Sequence, residues 1–216
     1  MTACSTAFCN ALAAVIRKNG ITRVLETGTY DGRGSTKAMA EALKETGGFL
    51  HTIESNANLI IQARLNLKDL PVEVHHGCSL TPPQLPKVST IIARMREAQR
   101  RGLYVDNLSQ FGEGVALQKY LDETKSHGHS GLLGTLVDKL QPELVLLDSA
   151  GCCGPEEYDV LMSWLWVVPS RTSFLLALDD INHVKHFETW GRIQQLKPNI
   201  LFQTEEKFGS AIVEVN

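Results

Sequence analysis

Short apolar runs alternate with longer amphipathic stretches along most of this 216-residue chain. The runs that predict β-strands cover residues 23–26, 49–54, 72–76, 144–148 and 173–178. The stretches with helical spacing cover residues 36–46, 59–67, 132–140, 156–167 and 183–195. Strands that alternate with helices form parallel sheets whose two faces are covered by the crossover helices. The alternation therefore predicts a Rossmann-like α/β fold with a doubly wound, mostly parallel sheet.

The C-terminal end departs from this alternation. Residues 200–204 and 210–215 are two strand-like runs joined by a turn-like segment at 205–207. Such a pair predicts a hairpin that closes the sheet with an antiparallel edge strand. A chain of this length with 43% hydrophobic residues can bury one continuous core, so residues 1–216 are expected to form a single domain.

Charge and cysteine content limit the classes of partner and compartment. With 21 Lys+Arg against 24 Asp+Glu, the net charge of −3 gives no general attraction to nucleic acid or to an anionic membrane. Residues 1–20 have the spacing of an amphipathic helix rather than a signal peptide, and no apolar run approaches the roughly 18 residues that span a bilayer. Five cysteines, two of them adjacent, indicate free thiols in a reducing compartment. We expect a cytoplasmic protein.

One segment, residues 80–131, is too long for a connection in such a fold. It holds about 50 residues, whereas connections of about 2 to 6 are usual. Residues 88–101 carry an apolar helical stripe, and the arginines between 94 and 101 are interpreted as a solvated face; a short helix is predicted near 115–121. We interpret this insertion as a cap over the active site or as a contact in a homo-oligomer. A plain surface excursion is the alternative.

A glycine-rich turn follows the first predicted strand. Gly28, Gly32 and Gly34 permit tight turns and a close approach of a ligand to the backbone, and Ser35 or Thr36 can cap the next helix. A helix N-terminus offers amide donors to a carboxylate or a phosphate. The spacing differs from the G-x-G-x-x-G dinucleotide motif, and no P-loop lysine is present. A ligand-binding loop is predicted, with a purely structural turn as the alternative.

An acidic residue ends the second predicted strand. Glu54 lies more than 20 residues beyond the glycine loop, which is the position from which a carboxylate accepts both ribose hydroxyls of a nucleoside. We therefore predict that Glu54 binds a ribose. A solvated glutamate at a strand end is the alternative.

Three further carboxylates follow the fourth and fifth strands. Asp148, Asp179 and Asp180 should converge, because ligands of open parallel sheets bind beyond the carboxyl ends of adjacent strands. Such hard oxygen ligands suit Mg²⁺, and without a cation they raise each other's pKa. Helix capping is the alternative for the Asp179–Asp180 pair. His183 follows directly and is predicted as a general base, with a solvated or capping histidine as its alternative.

These motifs together resemble the S-adenosylmethionine site of class I methyltransferases. The matching features are E-x-G-x-x-x-G at Glu26–Gly32 with the following Gly-Ser-Thr, the I-E that ends the second strand, and the Gly77-Cys-Ser79 segment after the third. The resemblance implies seven strands in the order 3-2-1-4-5-7-6, with Cys78 and Ser79 bordering the adenine. The implied cofactor-binding residues are Glu26, Gly28, Thr29, Tyr30, Gly32, Gly34, Ser35, Thr36, Glu54, Gly77, Cys78, Ser79 and Asp148.

Within that class, the acidic positions resemble those of metal-dependent small-molecule O-methyltransferases, of the catechol O-methyltransferase and cephalosporin-biosynthesis types. The resemblance implies that Asp148, Asp179 and Asp180 bind Mg²⁺, with Asp180 in the place of an asparagine. The base lysine of the catechol enzymes is missing, because Gly151 stands three residues after Asp148. In metal-free relatives the residue at Asp148 instead bonds the methionine ammonium.

The predicted function is methyl transfer from S-adenosylmethionine to a hydroxyl of a small molecule, assisted by Mg²⁺. Three alternatives stay open: a metal-independent methyltransferase, a non-catalytic nucleoside-binding or scaffold protein, and a nicotinamide-dependent dehydrogenase. The glycine spacing and the C-terminal hairpin argue against the dehydrogenase.

Overall fold

The computed structural model describes residues 4–124, 128–149, 151–167 and 174–215. Seven strands of this part of the chain form one sheet in the order 3-2-1-4-5-7-6. The first five pair in parallel, and β7 lies antiparallel between β5 and β6, which confirms the predicted α/β fold and its closing hairpin. The strands are β1 (Arg23–Thr27), β2 (Phe49–Glu54), β3 (Val72–His76), β4 (Leu144–Leu147), β5 (Phe174–Asp179), β6 (Asn199–Thr204) and β7 (Ser210–Val215).

The helices are α1 (Thr6–Asn19), α2 (Ser35–Thr46), α3 (Ala57–Asn66), α4 (Val88–Arg100), α5 (Leu108–Phe111), α6 (Glu113–Glu123), α7 (Leu132–Leu140), α8 (Gly154–Val167) and α9 (Phe187–Gln195). Three predicted helix starts need correction. The helix expected from residue 156 begins at Gly154. The helix expected from residue 183 begins at Phe187, because the preceding residues form turns and a bridge to Tyr104. The helix expected from residue 59 begins at Ala57, because the Asn56 side chain caps it. The predicted start of the N-terminal helix at residue 1 and that of the fifth strand at residue 173 lie outside the described residues.

The core forms two layers on opposite faces of the sheet. Successive residues of β1 show the division, since adjacent side chains of a strand point to opposite faces. Val24 packs with the apolar sides of α1 and α2, whereas Leu25 packs with α7, α8 and α9. The site lies at the carboxyl ends of the parallel strands, at one edge of these two layers.

The insertion builds a third, smaller core. Ile91 and Met95 of α4 pack with Tyr120 of α6 and with Phe187 at the start of α9. The interpretation of the arginines as a solvated face is wrong for Arg94, whereas Arg96, Arg100 and Arg101 are exposed as expected. The side chain of Arg94 is buried between α8 and α9, 2.8 Å from both Glu156 and Glu188, and it donates to the backbone oxygen of Cys152. Arg94 therefore joins the insertion to the main sheet through charge-assisted hydrogen bonds.

The prediction that all cysteines are thiols is wrong for two of them. Cys4 and Cys9 form a disulfide across the start of α1, because the first helical turn brings the two side chains together. Cys152 and Cys153 are buried thiols, as expected. Among the described residues, every helix is too short or too polar to cross a bilayer.

Candidate active site

A cavity of about 400 Å³ opens at the carboxyl ends of β1 to β5. This volume suits a small-molecule ligand. The predicted site residues in its lining are Gly28, Thr29, Tyr30, Gly34, Ser35, Glu54, Gly77, Cys78, Ser79, Asp148, Asp179 and Asp180. The predicted residues outside the lining are Glu26, Gly32, Thr36 and His183. The structure therefore brings most of the predicted nucleoside and metal ligands to one cavity.

Gly28 lies where β1 and β4 end side by side. Its φ of +88° is in the left-handed region that favours glycine. A Cβ at this position would lie 2.2 Å from the backbone oxygen of Asp148. Gly28 is therefore required by the close approach of two strand ends as well as by its place in the cavity wall. Gly32 has a structural role of the same kind, because a Cβ there would meet Leu67 at 2.7 Å.

Glu26 lies beneath the glycine loop and is fully buried. Its carboxylate accepts hydrogen bonds from the hydroxyls of Ser35 at 2.8 Å, Thr36 at 2.7 Å and Thr52 at 2.7 Å. Burial raises the pKa of Glu26 to about 7, although these three donors favour the ionised form. The carboxylate anchors the first turn of α2 against β1 and β2, and so it holds the shape of the loop from below.

Glu54 contributes a carboxylate to the cavity wall at the end of β2. One oxygen accepts from the backbone N–H of Tyr30 and the other from that of Asn56, both at 2.8 Å. Burial raises the pKa of Glu54 above its ordinary value. These bonds tie the glycine loop to β2 and fix the direction of the Glu54 side chain.

The acidic cluster of Asp148, Asp179 and Asp180 forms as predicted. One carboxylate oxygen from each residue lies within 4.8 Å of the others. Asp179 accepts a hydrogen bond from the Ser210 hydroxyl at 2.6 Å, which connects the cluster to β7. The donor set matches the oxygen ligands that Mg²⁺ prefers.

Lys185, which the sequence did not single out, already places a cation in this cluster. Its Nζ lies 2.6 Å from Asp148 and 2.7 Å from Asp180, and the side chain is only 9% exposed. Although burial favours the neutral amine, the carboxylates hold the pKa of Lys185 well above its ordinary value. Burial also raises the pKa of Asp148. Mg²⁺ fits the carboxylates by chemistry, but it would compete with this ammonium for the same oxygens.

His183 lies behind the cavity rather than in its lining. Its ring packs against Tyr104 of the insertion and Phe208 of the C-terminal hairpin, with centroids 5.4 and 5.5 Å away. Nε2 lies 3.4 Å from Asp106, and Nδ1 accepts from the backbone N–H of Lys185 at 3.1 Å. The contacts of His183 therefore hold the insertion and shape the turn that carries Lys185.

A buried carboxylate that the motifs did not reveal supports Asp148 from below. Glu157 of α8 is fully buried and accepts from the Thr27 hydroxyl at 3.1 Å. That hydroxyl oxygen in turn lies 3.2 Å from the backbone N–H of Asp148, which donates to it. Burial raises the pKa of Glu157. Its position in the first turn of α8 was visible in the sequence, but it did not mark Glu157 as a site residue, because acidic residues are common at helix starts.

No protein-family model matches the sequence, and a search of curated proteins found no similar sequence. Solved structures share the fold. An O-methyltransferase from Bacillus cereus in complex with S-adenosylhomocysteine is 15% identical with a TM-score of 0.57, covering 98% of this chain and 82% of that one. An O-methyltransferase from Streptomyces achromogenes, involved in tomaymycin synthesis and in complex with S-adenosylmethionine, is 16% identical with a TM-score of 0.55, covering 99% and 82%.

A methyltransferase from Podospora anserina with bound S-adenosylhomocysteine is also similar. It is 12% identical with a TM-score of 0.54, and the match covers 99% of this chain and 79% of that one. The chain thus has the seven-stranded methyltransferase fold that the resemblance predicted.

Proposed function

We propose that the chain transfers a methyl group from S-adenosylmethionine to a hydroxyl of a small molecule. The observation that carries the proposal is a single cavity lined both by the predicted cofactor-binding residues and by the charged residues of the acidic cluster. The glycine loop and Glu54 form one side, and Asp148 with Lys185 forms the other. The structures of the same fold from Bacillus cereus and Streptomyces achromogenes hold S-adenosylhomocysteine and S-adenosylmethionine, which supports the choice of cofactor.

The cofactor residues follow from this placement. Glu54 would accept the ribose hydroxyls, since its carboxylate is fixed in the cavity wall by backbone donors. Cys78 and Ser79 would border the adenine, and the backbone at Gly28 would lie against the methionine part of the ligand. Glu26 would act through the loop that it anchors rather than by touching the cofactor.

Lys185 would supply the positive charge at the reacting end. An ammonium has three N–H donors, and those facing Asp148 and Asp180 leave a third for the acceptor oxygen. That hydrogen bond would stabilise the negative charge that develops on the oxygen as it attacks the methyl group. Asp148 would take the hydroxyl proton, because its carboxylate lies beside the Lys185 ammonium that would hold the acceptor oxygen. Positioning of the acceptor would supply much of the remaining acceleration.

Mg²⁺ assistance is the second candidate mechanism. Asp148, Asp179 and Asp180 would hold the ion, which would lend its charge to an acceptor oxygen. The Lys185 ammonium favours the metal-independent form, because it is already bonded to two of the three carboxylates. EDTA separates the two forms, since chelation should abolish only the Mg²⁺-assisted reaction.

The insertion is proposed to cap this cavity. Leu80, Leu85, Glu123 and Thr124, which belong to residues 80–131, contribute to its lining. A cap of this kind would contact the acceptor and so select it. A contact in a homo-oligomer is the competing role, and light scattering of the purified chain tests it.

Binding and turnover test the function in two steps. Calorimetry should show that S-adenosylmethionine binds and that NADH does not. Glu54→Gln should weaken binding about 10- to 100-fold, whereas Glu41→Gln on the exposed face of α2 should leave it unchanged. Formation of S-adenosylhomocysteine with phenols, vicinal diols and sugars then tests transfer. Failure to bind the cofactor would overturn the proposal, and binding without transfer would favour a nucleoside-binding protein.

A further inference from the structure

Two histidines and a glutamate meet on the edge of the sheet, apart from the cavity. His51 of β2 lies opposite Glu73 of β3, and His75 follows Glu73 by two residues. Residues two apart on a strand share a face, so all three side chains project from the same side of the sheet. β3 lies at one edge of the sheet, at the opposite end from β6. Glu54, the cavity residue of β2, is roughly 10 Å further along the strand.

The geometry brings three metal-binding groups into contact. Nδ1 of His51 lies 2.9 Å from Nε2 of His75, and their rings stack with centroids 5.2 Å apart. Carboxylate oxygens of Glu73 lie 3.5 Å from His51 and 3.8 Å from His75. One donor atom from each residue thus falls within 4.8 Å of the other two.

These distances suit a tetrahedral transition-metal ion. Two imidazole nitrogens bound to one Zn²⁺ at about 2.0 to 2.1 Å are about 3.3 Å apart, so the rings need to separate by only about 0.4 Å. Glu73 is 58% exposed and its side chain can turn to bind, while the histidines are about four-fifths buried and held in place. Two imidazoles and one carboxylate leave a fourth position for water.

The surroundings favour the neutral form of both imidazoles, which is the form that binds a metal ion. Burial lowers the pKa of His51 and of His75, and each is further lowered by the positive charge of Lys139. Glu73 acts in the opposite direction on both pKa values and supplies the negative charge that a divalent cation needs. Nitrogen ligands favour Zn²⁺, Ni²⁺ or Cu²⁺ over Mg²⁺.

We infer that His51, Glu73 and His75 form a surface site for a divalent transition-metal ion such as Zn²⁺, which cross-links β2 to the edge strand β3. The site is independent of the proposed methyl transfer, because it shares no residue with the cavity. A hydrogen bond between the two imidazoles, with no affinity for metal, is the competing reading of the same contact.

Zinc titration of the untagged, chelator-treated 216-residue chain tests the site. Calorimetry should show one Zn²⁺ per chain, and excess Mg²⁺ should not displace it. Zn²⁺ at about 100 times its Kd should raise the Tm by about 5 to 10 °C, since the ion binds only the folded pair of strands. Asp148→Asn and Cys78→Ser are controls that should retain this site, because they alter only the cavity.

The variants decide between metal binding and the hydrogen bond. His51→Gln and His75→Gln should each weaken Zn²⁺ binding about 100-fold. Glu73→Lys should weaken it as well, and this exposed change should leave the fold intact, so it covers the case in which a histidine variant fails to fold. No Zn²⁺ binding by the wild-type chain, or equal binding by the wild type and Glu73→Lys, would overturn the inference.

Discussion

The Lys185 ammonium lies 2.6 Å from the Asp148 carboxylate, at the place where the sequence predicted a divalent cation. Three carboxylates crowded at the ends of β4 and β5 require positive charge, since each raises the pKa of its neighbours. A side chain of the same polypeptide meets part of that requirement. The identity of the cation at this position therefore decides how the proposed reaction would proceed.

Lys185→Met should remove the proposed electrostatic catalyst and unbalance the cluster. We expect loss of methyl transfer in EDTA by about 100-fold or more, and a loss of stability of about 3 to 5 kcal/mol from the unpaired buried carboxylates. Mg²⁺ should restore part of that stability, because the competing ammonium is gone. Urea unfolding with and without Mg²⁺ measures this, with Lys37→Met on the surface of α2 as the control. Transfer in EDTA at the wild-type rate would refute the role of Lys185.

Gly28→Ala should disrupt the junction of β1 and β4. The added Cβ would fall 2.2 Å from the Asp148 oxygen, so a strand end must shift and the cavity must deform. We expect a loss of about 2 to 4 kcal/mol and of measurable cofactor binding. Gly47→Ala is the matched control, because Gly47 also has a positive φ but open space around its Cβ position. It should cost about 1 kcal/mol and leave binding intact. Equal effects of the two changes would contradict the proposed crowding.

Glu26→Gln should flatten the pH dependence of stability. The folded chain retains the Glu26 proton up to about pH 7, whereas the unfolded chain releases it near 4.5. The folded state thus binds more protons in that window, and this residue makes stability fall as the pH rises through it, by about 3 kcal/mol in total. Between pH 5 and 8, the free energy of unfolding of Glu26→Gln should therefore rise relative to that of the wild type, as measured by urea unfolding. Parallel pH profiles of the two proteins would show that Glu26 does not titrate there.

Arg94→Met should loosen the insertion. Removing this guanidinium leaves Glu156 and Glu188 without their shared partner, and we expect a loss of about 3 kcal/mol. Arg96→Met, in which only an exposed pair with Glu113 is lost, should cost less than about 1 kcal/mol. Hydrogen exchange should locate the added mobility in α4 of Arg94→Met. Equal stabilities of the two variants would mean that the ion pairs of Arg94 with Glu156 and Glu188 do not hold the insertion in place.

The sequence predicted what depends on chain order and periodicity. Strand boundaries were predictable because apolar runs mark them, and the meeting of Asp148 with Asp179 followed from the rule that strand ends share an edge. Lys185 and Arg94 were not predictable in this way. Both are long, flexible cations, and only the packing of turns and helices around them determines which carboxylate each one reaches. The contacts of His183 with the insertion were not predictable for the same reason, because they depend on how that segment packs.

The backbone of Tyr104 in the insertion is hydrogen-bonded to the residues before and after His183, in the turn that carries Lys185. The N–H of Tyr104 lies 3.4 Å from the oxygen of Asn182, and its own oxygen accepts from Val184 at 3.1 Å. These two backbone hydrogen bonds join the insertion to this turn, so a shift of one would move the other. A change in residues 80–131 that accommodates a new acceptor would therefore also change the position of the Lys185 ammonium relative to that acceptor. The side of the cavity that is built on β1 and β2, where the nucleoside is proposed to bind, would not change.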